Sequence, residues 1–369
     1  MTQFSKPSHI KTALHQSLDV LNEISDCTVL DYPNYPNIGD HLIWIGTIFY
    51  LNLQLKLRIR YVSSFTEFSA DEMSRKAGKT PILLQGGGNL GDLWQPHQKF
   101  RESIISTYKD RPIFILPQTI YFQKDKNIKR VADIFNSHPN LTIFTRDNLS
   151  YDLAQTHFSD CRVIKSPDMF FQMIGTQNLP TSVKPQDSIL YFCRQDLEFN
   201  KQFAPESLGL PNLVIEDWVS FNWMVKAPDD WPFYIPGTVR LIREGWQRGL
   251  AAHPGEFLSR IKWNYFHTYS KEFAKMDQPN LHRRSWSMMH AGMYQLLQHR
   301  LVITNRLHGH LLCTCLGIPH VFLPNSYYKN ELFYETWTQG IPFCRFVKEP
   351  EMVKPAVEEL LKQSDEVPG

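Results

Sequence analysis

The amino-acid sequence predicts an α/β protein, with a doubly wound parallel sheet in its first half and a second α/β unit in its other half. Short β-rich runs alternate with segments whose apolar residues recur every three or four positions, which is the order of βαβ units. Runs such as ILLQ and IFIL are apolar throughout, as parallel strands are when both faces of the sheet are covered. The same alternation resumes after a polar, proline-containing stretch near the middle of the chain.

The individual elements follow from these patterns in chain order. Apolar, β-branched runs bounded by turn residues are the predicted strands, and the amphipathic stretches between them are the predicted helices. In the first half the strands are Cys27–Leu30, Leu57–Val62, Pro81–Leu84, Ile113–Leu116, Leu141–Phe144 and Arg162–Ile164, and the helices are Asp40–Leu53, His97–Tyr108, Lys126–Asn136 and Ser150–Thr156. In the second half the strands are Ser188–Phe192, Leu213–Glu216, Leu301–Thr304 and His320–Leu323, and Glu351–Lys362 is a short amphipathic helix.

Length and composition predict that the chain has two domains. At about 150 residues per domain, 369 residues correspond to two, and the polar stretch at Gly175–Gln186 is typical of a linker. We predict an N-terminal domain over 1–175, a C-terminal domain over 187–350 and a helix and tail over 351–369. Within the second domain, the Trp-rich insertion 218–286 holds six of the nine tryptophans. It is either an aromatic helical core of its own or a surface for sugar stacking or membrane contact.

Charge and cysteine usage exclude several classes of protein. Lys+Arg 39 against Asp+Glu 37 gives a net charge of +2, which argues against a nucleic-acid binder. The six cysteines form no Cys-x-x-Cys pair, so we predict no metal site and a reducing compartment. The N-terminus has no apolar signal region, and the longest apolar run, Leu42–Leu51, is too short to cross a bilayer. We therefore expect a cytoplasmic protein.

Polar residues that follow strands are the candidate ligand contacts, because ligands of α/β sheets bind beyond the carboxyl ends of the strands. Asp40 lies in a predicted first helical turn, where it is either a helix-start residue or a site residue. The run Gly86–Gly91 matches G-x-G-x-x-G, but it follows the third strand and no acid ends the next strand, which argues against dinucleotide binding. A glycine turn still lets a ligand approach the backbone closely. The candidates here are Gly87, Gly88, Asn89, Asp92 and Gln118.

Positively charged side chains follow several of the other predicted strands. Arg146 comes directly after a strand and before a helix, and Arg194 repeats this arrangement in the second half, so both suit an anion. In LVITNRLHGHLLCTCLGIP, Asn305 fits a helix N-cap, which places Arg306 and His308 in the first helical turn. Free N–H groups, the helix dipole and Arg306 would together form an anion site, with the titratable imidazole of His308 beside it. Asn325 and Lys329 follow the next strand.

These motifs together resemble the polysaccharide pyruvyl transferase family. NRLHGHLLCTCLGIPHVFLPNSYYKN looks like the C-terminal signature of that family, and NIGDHL, LLQGGGNLGDLW, LPQTI, TRDNLSYDL and Ser166–Asp168 match its other landmarks in order. The resemblance implies two Rossmann-like domains facing a cleft, similar to GT-B glycosyltransferases. It also implies transfer of a pyruvyl group from phosphoenolpyruvate to two hydroxyls of a sugar, giving a cyclic ketal without a cofactor. Arg146, Arg306 and His308 match the family's functional positions.

This chemistry assigns a role to each candidate. We expect His308 to be the general acid/base, and Arg306 with the helix N-terminus to stabilise the departing phosphate. Phosphoenolpyruvate carries two anionic groups, so the expected donor contacts are Arg146, Arg194, Arg306, Lys329 and Asn325. The expected contacts to the sugar or oligosaccharide acceptor are Asp40, Gly87, Gly88, Asn89, Asp92 and Gln118.

Two other functions stay open at this stage. A GT-B-type glycosyltransferase that uses a nucleotide sugar would share the fold and the arginines. A non-catalytic sugar-binding or assembly protein would depend on the Trp-rich insertion instead. A lipid-linked acceptor would favour peripheral contact with the inner face of the membrane, for which tryptophan side chains are suited.

Overall fold

Two parallel sheets form the framework of the protein. A computed structural model describes residues 4–176, 185–194, 196–211, 213–223, 254–267 and 269–366. The first sheet has the order β2-β1-β3-β5-β6-β7, with β4 paired to β5, and the second has the order β12-β11-β10-β8-β9. The strands are β1 Asp26–Leu30, β2 Arg58–Ser63, β3 Ile82–Leu84, β4 Gly87–Gly91, β5 Ile113–Tyr121, β6 Leu141–Thr145, β7 Arg162–Lys165, β8 Gln186–Phe192, β9 Val214–Glu216, β10 His299–Thr304, β11 His320–Phe322 and β12 Cys344–Phe346.

Helices connect and cover these strands, which makes the protein a Rossmann-like α/β fold. They are α1 Pro7–Ser17, α2 Ile38–Ile48, α3 Ala70–Ala77, α4 Gln95–Thr107, α5 Asp125–Asn136, α6 Asn148–His157, α7 Pro254–Phe266, α8 Tyr269–Phe273, α9 Pro279–Leu297, α10 Leu307–Leu316, α11 Lys329–Phe333 and α12 Val353–Glu366. The ten predicted strands and the βαβ alternation are confirmed. In the part of the chain that is described, no helix is long and apolar enough to span a bilayer.

The glycine run contains a strand that was not predicted from the sequence. Residues Gly87–Gly91 form strand β4, which pairs in parallel with the second half of β5. A Cβ at Gly91 would lie 1.8 Å from the carbonyl oxygen of Tyr121, so only glycine lets these two strands approach so closely. The predicted end of β5 at Leu116 was also too early. The strand continues to Tyr121 through an irregularity in its register around Pro117, which has no N–H to donate.

The central element is α2, which holds the apolar run found in the sequence. Every residue from Ile38 to Ile48 except Asp40 is buried, and the helix continues as a π-helical turn at Phe49–Gln54. Side chains of α2 belong to one hydrophobic cluster together with residues of both sheets, such as Val29 and Phe192. The segment predicted as a linker lies largely outside the described residues, so the domain boundaries stay a prediction.

Trp218, Trp263 and Trp286 of the insertion are buried and not on the surface. Trp263 stacks on Trp286 with ring centroids 4.0 Å apart, and both side chains are buried. Trp218 is buried against Phe192 of β8. These contacts favour the aromatic-core interpretation for all three tryptophans. Residues 224–253, which include Trp231 and Trp246, lie outside the described residues.

Candidate active site

A cavity of about 480 Å³ lies beyond the carboxyl ends of strands from both sheets. Its walls come from segments that follow β1, β3, β6, β8, β9, β10 and β11. Eight of the predicted site residues line it: Asp40, Gly88, Asn89, Arg146, Arg194, Arg306, His308 and Lys329. The expectation that side chains after successive strands meet at one place is therefore correct for these residues.

Arg146 presents one edge of its guanidinium to this cavity. The side chain is buried directly after β6, where Nε donates to Thr119 Oγ1 at 3.0 Å and Nη1 donates to Asp168 Oδ2 at 2.6 Å. Nη2 faces Gly88, since a Cβ at that glycine would lie only 3.1 Å from it and 3.7 Å from Lys329 Nζ. Gly88 thus leaves open the space between two cations. Asp147, beside Arg146 in the chain, instead caps α6 by accepting from Ser150 N at 2.8 Å.

His308 stands next to the same buried carboxylate. Its Nε2 lies 3.6 Å from Asp168 Oδ2, beyond hydrogen-bond range, and has no hydrogen-bond partner among the described residues. The other side of the ring packs on the start of α2, because a Cβ at Gly39 would lie 2.8 Å from Nδ1. Burial alone raises the pKa of the Asp168 carboxyl, but interaction with His308 and with the charge of Arg146 lowers it to about 2. Asp168 is therefore ionised at neutral pH, and His308 keeps one polar atom free for a ligand.

The N-terminus of α10 opens onto the cavity without a side-chain cap. Asn305 was predicted as the N-cap, but Arg306 occupies that position. The Asn305 side chain is buried and accepts from the backbone N–H of Arg194 at 2.9 Å, so it joins the ends of β10 and β8 instead. Because no side chain among the described residues bonds the N–H groups of the first turn of α10, these groups and the helix dipole remain available to an anion.

Each cavity-lining cation is paired with a carboxylate. Arg306 binds Asp217 through Nε and through Nη2, the latter at 2.6 Å. Arg194 binds Asp196 with two hydrogen bonds of 2.7 Å and Glu198 with one of 2.8 Å. These pairs fix the guanidinium groups in place and offset the cost of burying them.

Lys329 is the cation whose charge depends most on pH. It is buried and bonded to Glu198. Burial and the nearby charge of Arg194 lower its pKa to about 8, although Glu198 acts in the opposite direction. Glu198 also accepts from Asn325 Nδ2 at 3.1 Å. Asn325, a predicted donor contact, therefore supports the carboxylate and does not line the cavity.

The predicted acceptor contacts divide into two groups. Asp40 accepts from Asn37 Nδ2 at 2.7 Å, and Asn89 accepts from Arg101 Nη2 at 2.7 Å, so both are held in place at the cavity wall. Gln118 is fully buried behind Asn89 and donates to its Oδ1 at 3.2 Å. Gly87 lies beside Asp40, since a Cβ there would be 3.7 Å from its Oδ1. Gln118 and Gly87 thus support the wall without lining it.

Asp92 is not brought to the cavity. Its carboxylate accepts from the backbone N–H groups of Gln123 and Lys124 at 2.8 and 3.1 Å and from Asn127 Nδ2 at 2.9 Å. It therefore holds the turn before α5. The structure thus gives Asp92 a local structural role at a separate, smaller pocket.

Most of the residues that form this cavity lie within a known protein family. The family model described as polysaccharide pyruvyl transferase matches residues 37–327, which contain every cavity-lining residue named so far except Lys329. The chain belongs to the polysaccharide pyruvyl transferase family. The protein is accordingly a transferase of polysaccharide biosynthesis.

Individual relatives support the same assignment over most of the chain. The putative pyruvyl transferase EpsO of Bacillus subtilis is 30% identical over 344 residues, covering 92% of this chain and 94% of that protein. Pyruvyl transferase 1 of Schizosaccharomyces pombe is 25% identical and covers 86% of this chain and 71% of that protein. The crystal structure of KP1_0663, a functionally uncharacterized Klebsiella pneumoniae protein, aligns with a TM-score of 0.55 at 20% identity. It covers 92% of this chain and 98% of that one and so supports the fold.

This pyruvyl transferase also has cavity residues that the sequence analysis missed. His97 lines the wall near Asn89, and its Nδ1 lies 2.9 Å from Oδ1 of the buried Asp31. Asp31 has a φ of 69°, an unusual backbone conformation for a residue with a side chain. Its position directly after β1 is a signal of the kind that identified Asp40. His97, by contrast, lies within a helical pattern, where its orientation cannot be read from the sequence.

Proposed function

We propose that this transferase moves the pyruvyl group of phosphoenolpyruvate onto two hydroxyls of a sugar as a cyclic ketal, in the synthesis of an exopolysaccharide or cell-envelope polysaccharide. One observation carries the proposal. The free Nε2 of His308, Nη2 of Arg146 and the side chain of Lys329 line one cavity, beside the uncapped N-terminus of α10. That combination suits a small ligand that carries more than one negative charge and accepts a proton during the reaction.

The cationic side chains of the cavity are the reason for proposing phosphoenolpyruvate as the donor substrate. Phosphoenolpyruvate has a phosphate and a carboxylate, and each needs fixed donors once it leaves water. Arg146 Nη2 and Lys329 flank the opening at Gly88, and Arg306 lies at the N-cap of α10. The carboxylate partners of these cations hold them in position before the ligand arrives, so little reorganisation is needed on binding.

His308 accounts for the proton transfers. The enol carbon C3 takes a proton while one sugar hydroxyl attacks C2, and the C2–O bond to phosphate then breaks. The second hydroxyl attacks C2 and closes the ring, so that phosphate is released and both hydroxyl protons are passed on. In this proposal His308 Nε2, which lies 3.6 Å from Asp168 Oδ2, gives and receives these protons. Asp40, which also lines the cavity, orients an acceptor hydroxyl.

Ligand-dependent thermal stability tests the donor directly. At a phosphoenolpyruvate concentration of about 100 times Kd, binding adds about 2.7 kcal/mol to the free energy of unfolding. Gly88→Ala is the sharpest variant, because its Cβ would fill the space beside Arg146 Nη2 and its other contacts are ordinary. We expect phosphoenolpyruvate to stabilise the wild type, with Gly88→Ala losing this response while its ligand-free melting temperature stays close to that of the wild type.

UDP provides the control for a nucleotide-sugar enzyme. Stabilisation by UDP and not by phosphoenolpyruvate would contradict the proposal and favour a GT-B-type glycosyltransferase. Once the donor is established, release of phosphate from phosphoenolpyruvate that depends on an added sugar acceptor would test the transfer itself. Phosphate release without incorporation of pyruvate into the sugar would contradict ketal formation.

A further inference from the structure

Helix α7 (Pro254–Phe266) has an unusual distribution of polarity. The face that packs against the protein holds charged residues: Glu256 and Arg260 are only 2% and 7% exposed. They form an ion pair of 3.5 Å, and Glu256 also accepts from His290 Nδ1 at 2.8 Å. The polar groups of this helix are thus used inside the fold.

Large apolar side chains cover the opposite face. Leu258 is 63% exposed, Ile261 51% and Tyr265 83%, and Phe266 at the end of the helix is 71% exposed. At about 100° per residue, positions 258, 261 and 265 lie within about 60° of one another around the helix axis. We call these four side chains the α7 outer face.

Such a surface is costly to leave in water. Single exposed apolar residues are ordinary, but a contiguous group indicates a surface that binds something apolar. An apolar stripe along one side of a helix inserts at a bilayer interface when the helix lies parallel to the membrane surface.

The charged residues near the α7 outer face indicate what kind of surface it binds. Lys262 is exposed within the stripe, and Lys271 is exposed on the next helix, α8. The one acidic residue of α7, Glu256, is buried. A second copy of the chain docking symmetrically on this face would bring two Lys262 side chains into one interface with no exposed acidic residue of α7 to pair with them, which is unfavourable. Anionic lipid headgroups complement these lysines, and Tyr265 suits the boundary between headgroups and acyl chains.

We infer that α7 docks the protein on the surface of an anionic membrane, with the α7 outer face inserted at the interface and Lys262 and Lys271 contacting the headgroups. The lipid-facing residues are therefore Leu258, Ile261, Tyr265 and Phe266, and not the tryptophans Trp263 and Trp286, which are buried beneath them. This inference does not depend on the identity of the donor substrate.

Vesicle flotation of the full chain tests it. The two vesicle types are phosphatidylcholine alone and an equimolar mixture of phosphatidylcholine and phosphatidylglycerol. We expect the wild type to float with the mixed vesicles. The double variant Leu258→Gln/Ile261→Gln should lower the partition coefficient at least about tenfold, because two exposed apolar side chains no longer enter the interface. Glutamine is a good helix former, so α7 itself should persist.

Matched variants distinguish binding through the α7 outer face from nonspecific binding by exposed apolar side chains. Leu197→Gln and Met352→Gln remove apolar side chains that are 74% and 56% exposed elsewhere, and they should float as the wild type does. Lys262→Gln should weaken binding to the mixed vesicles about fivefold and leave binding to phosphatidylcholine unchanged.

Three results would overturn the inference. The first is a wild type that stays unbound with both vesicle types, and the second is full flotation of the Leu258→Gln/Ile261→Gln variant. The third is an α7 variant that sediments as a monomer where the wild type sediments as a dimer and does not bind vesicles. That result would make the α7 outer face an interface between copies.

Discussion

At the scale of single residues, the site depends on a few buried groups whose partners leave specific atoms free. Arg146 uses Nε and Nη1 for Thr119 and Asp168, and it turns Nη2 toward Gly88. His308 has no hydrogen bond at Nε2 among the described residues. A buried polar atom without a partner costs free energy unless a ligand supplies one, so His308 Nε2 is the most informative atom in the cavity.

His308→Gln should lower kcat about 10²- to 10³-fold, since glutamine cannot transfer protons near neutral pH. Thermal stability should fall only modestly, because Asp168 loses its interaction with His308 but keeps its hydrogen bond from Arg146. Turnover with phosphoenolpyruvate and calorimetry of the same preparations would measure both. His9→Gln, at an exposed position on α1, is the control. Turnover of His308→Gln near that of the wild type would remove His308 from the mechanism.

Lys329 should make donor affinity depend on pH. Its folded-state pKa of about 8 lies below the ordinary value of 10.5, so the lysine loses its charge as the pH rises through 8. If the charged form binds phosphoenolpyruvate, affinity is full below that pH and falls up to about tenfold per unit above it. Isothermal titration between neutral and alkaline pH measures this. Lys329→Arg should bind with little change over the same range, because arginine stays charged. A wild-type affinity that is flat across this range would rule out the role of Lys329.

At the scale of secondary-structure elements, α2 and α10 form the site by meeting at their N-termini. Gly39 in the first turn of α2 lies against the His308 ring, and about two turns further along the helix Gly46 lies against the backbone of Met169. The two glycines of one helix thus have different functions. Gly39 makes room for a site residue, whereas Gly46 makes room for the main chain.

The substitutions Gly39→Ala and Gly46→Ala should therefore differ in their effects on turnover and on stability. At Gly39 the new Cβ would lie 2.8 Å from His308 Nδ1, and the ring can shift, so we expect lower kcat at nearly unchanged stability. At Gly46 it would lie 2.1 Å from the carbonyl oxygen of Met169, which cannot move freely, so we expect a loss of about 1–3 kcal/mol or more. Chemical denaturation and turnover of both variants measure this. Equal losses of stability would contradict the proposed packing of α2.

At the scale of the whole molecule, the two sheets are joined by apolar side chains that belong to one cluster. That cluster includes Val29 of the first sheet, Phe192 and Val302 of the second, and Trp44 of α2 between them. We therefore expect the protein to unfold as one cooperative unit, although the sequence predicts two domains.

Calorimetry measures this cooperativity. A single transition, with calorimetric and van't Hoff enthalpies that agree, is the expected result. A fragment ending at residue 175 should expose the apolar surface of α2 that otherwise packs on α9, and should not fold to a stable monomer. Two separate transitions, or a stable fragment, would show that the halves fold independently.

How much the sequence could predict depends on the range of the interaction. Strand and helix periodicity, and the position of Arg306 and His308 at a strand-to-helix junction, are local features, and all were confirmed. Strand β4 was not predicted and the cap of α10 was mispredicted, because the conformation of a glycine run and the choice between two adjacent polar residues are decided by neighbours distant in sequence. Helix α7 lies within the predicted aromatic helical insertion, but its bounds were not predicted.

The sequence by itself determined the class of fold, the strand ends that carry the site and the cations that could bind an anion, since these depend on periodicity and on residues within one turn. Only the tertiary structure decided which carboxylate pairs with which cation: Asp168 with Arg146 across 22 residues, and Asp217 with Arg306 across 89. It also decided that Asp92 lies outside the cavity and His97 inside it. These outcomes depend on how the two sheets and α2 pack in three dimensions, and no local pattern encodes that packing.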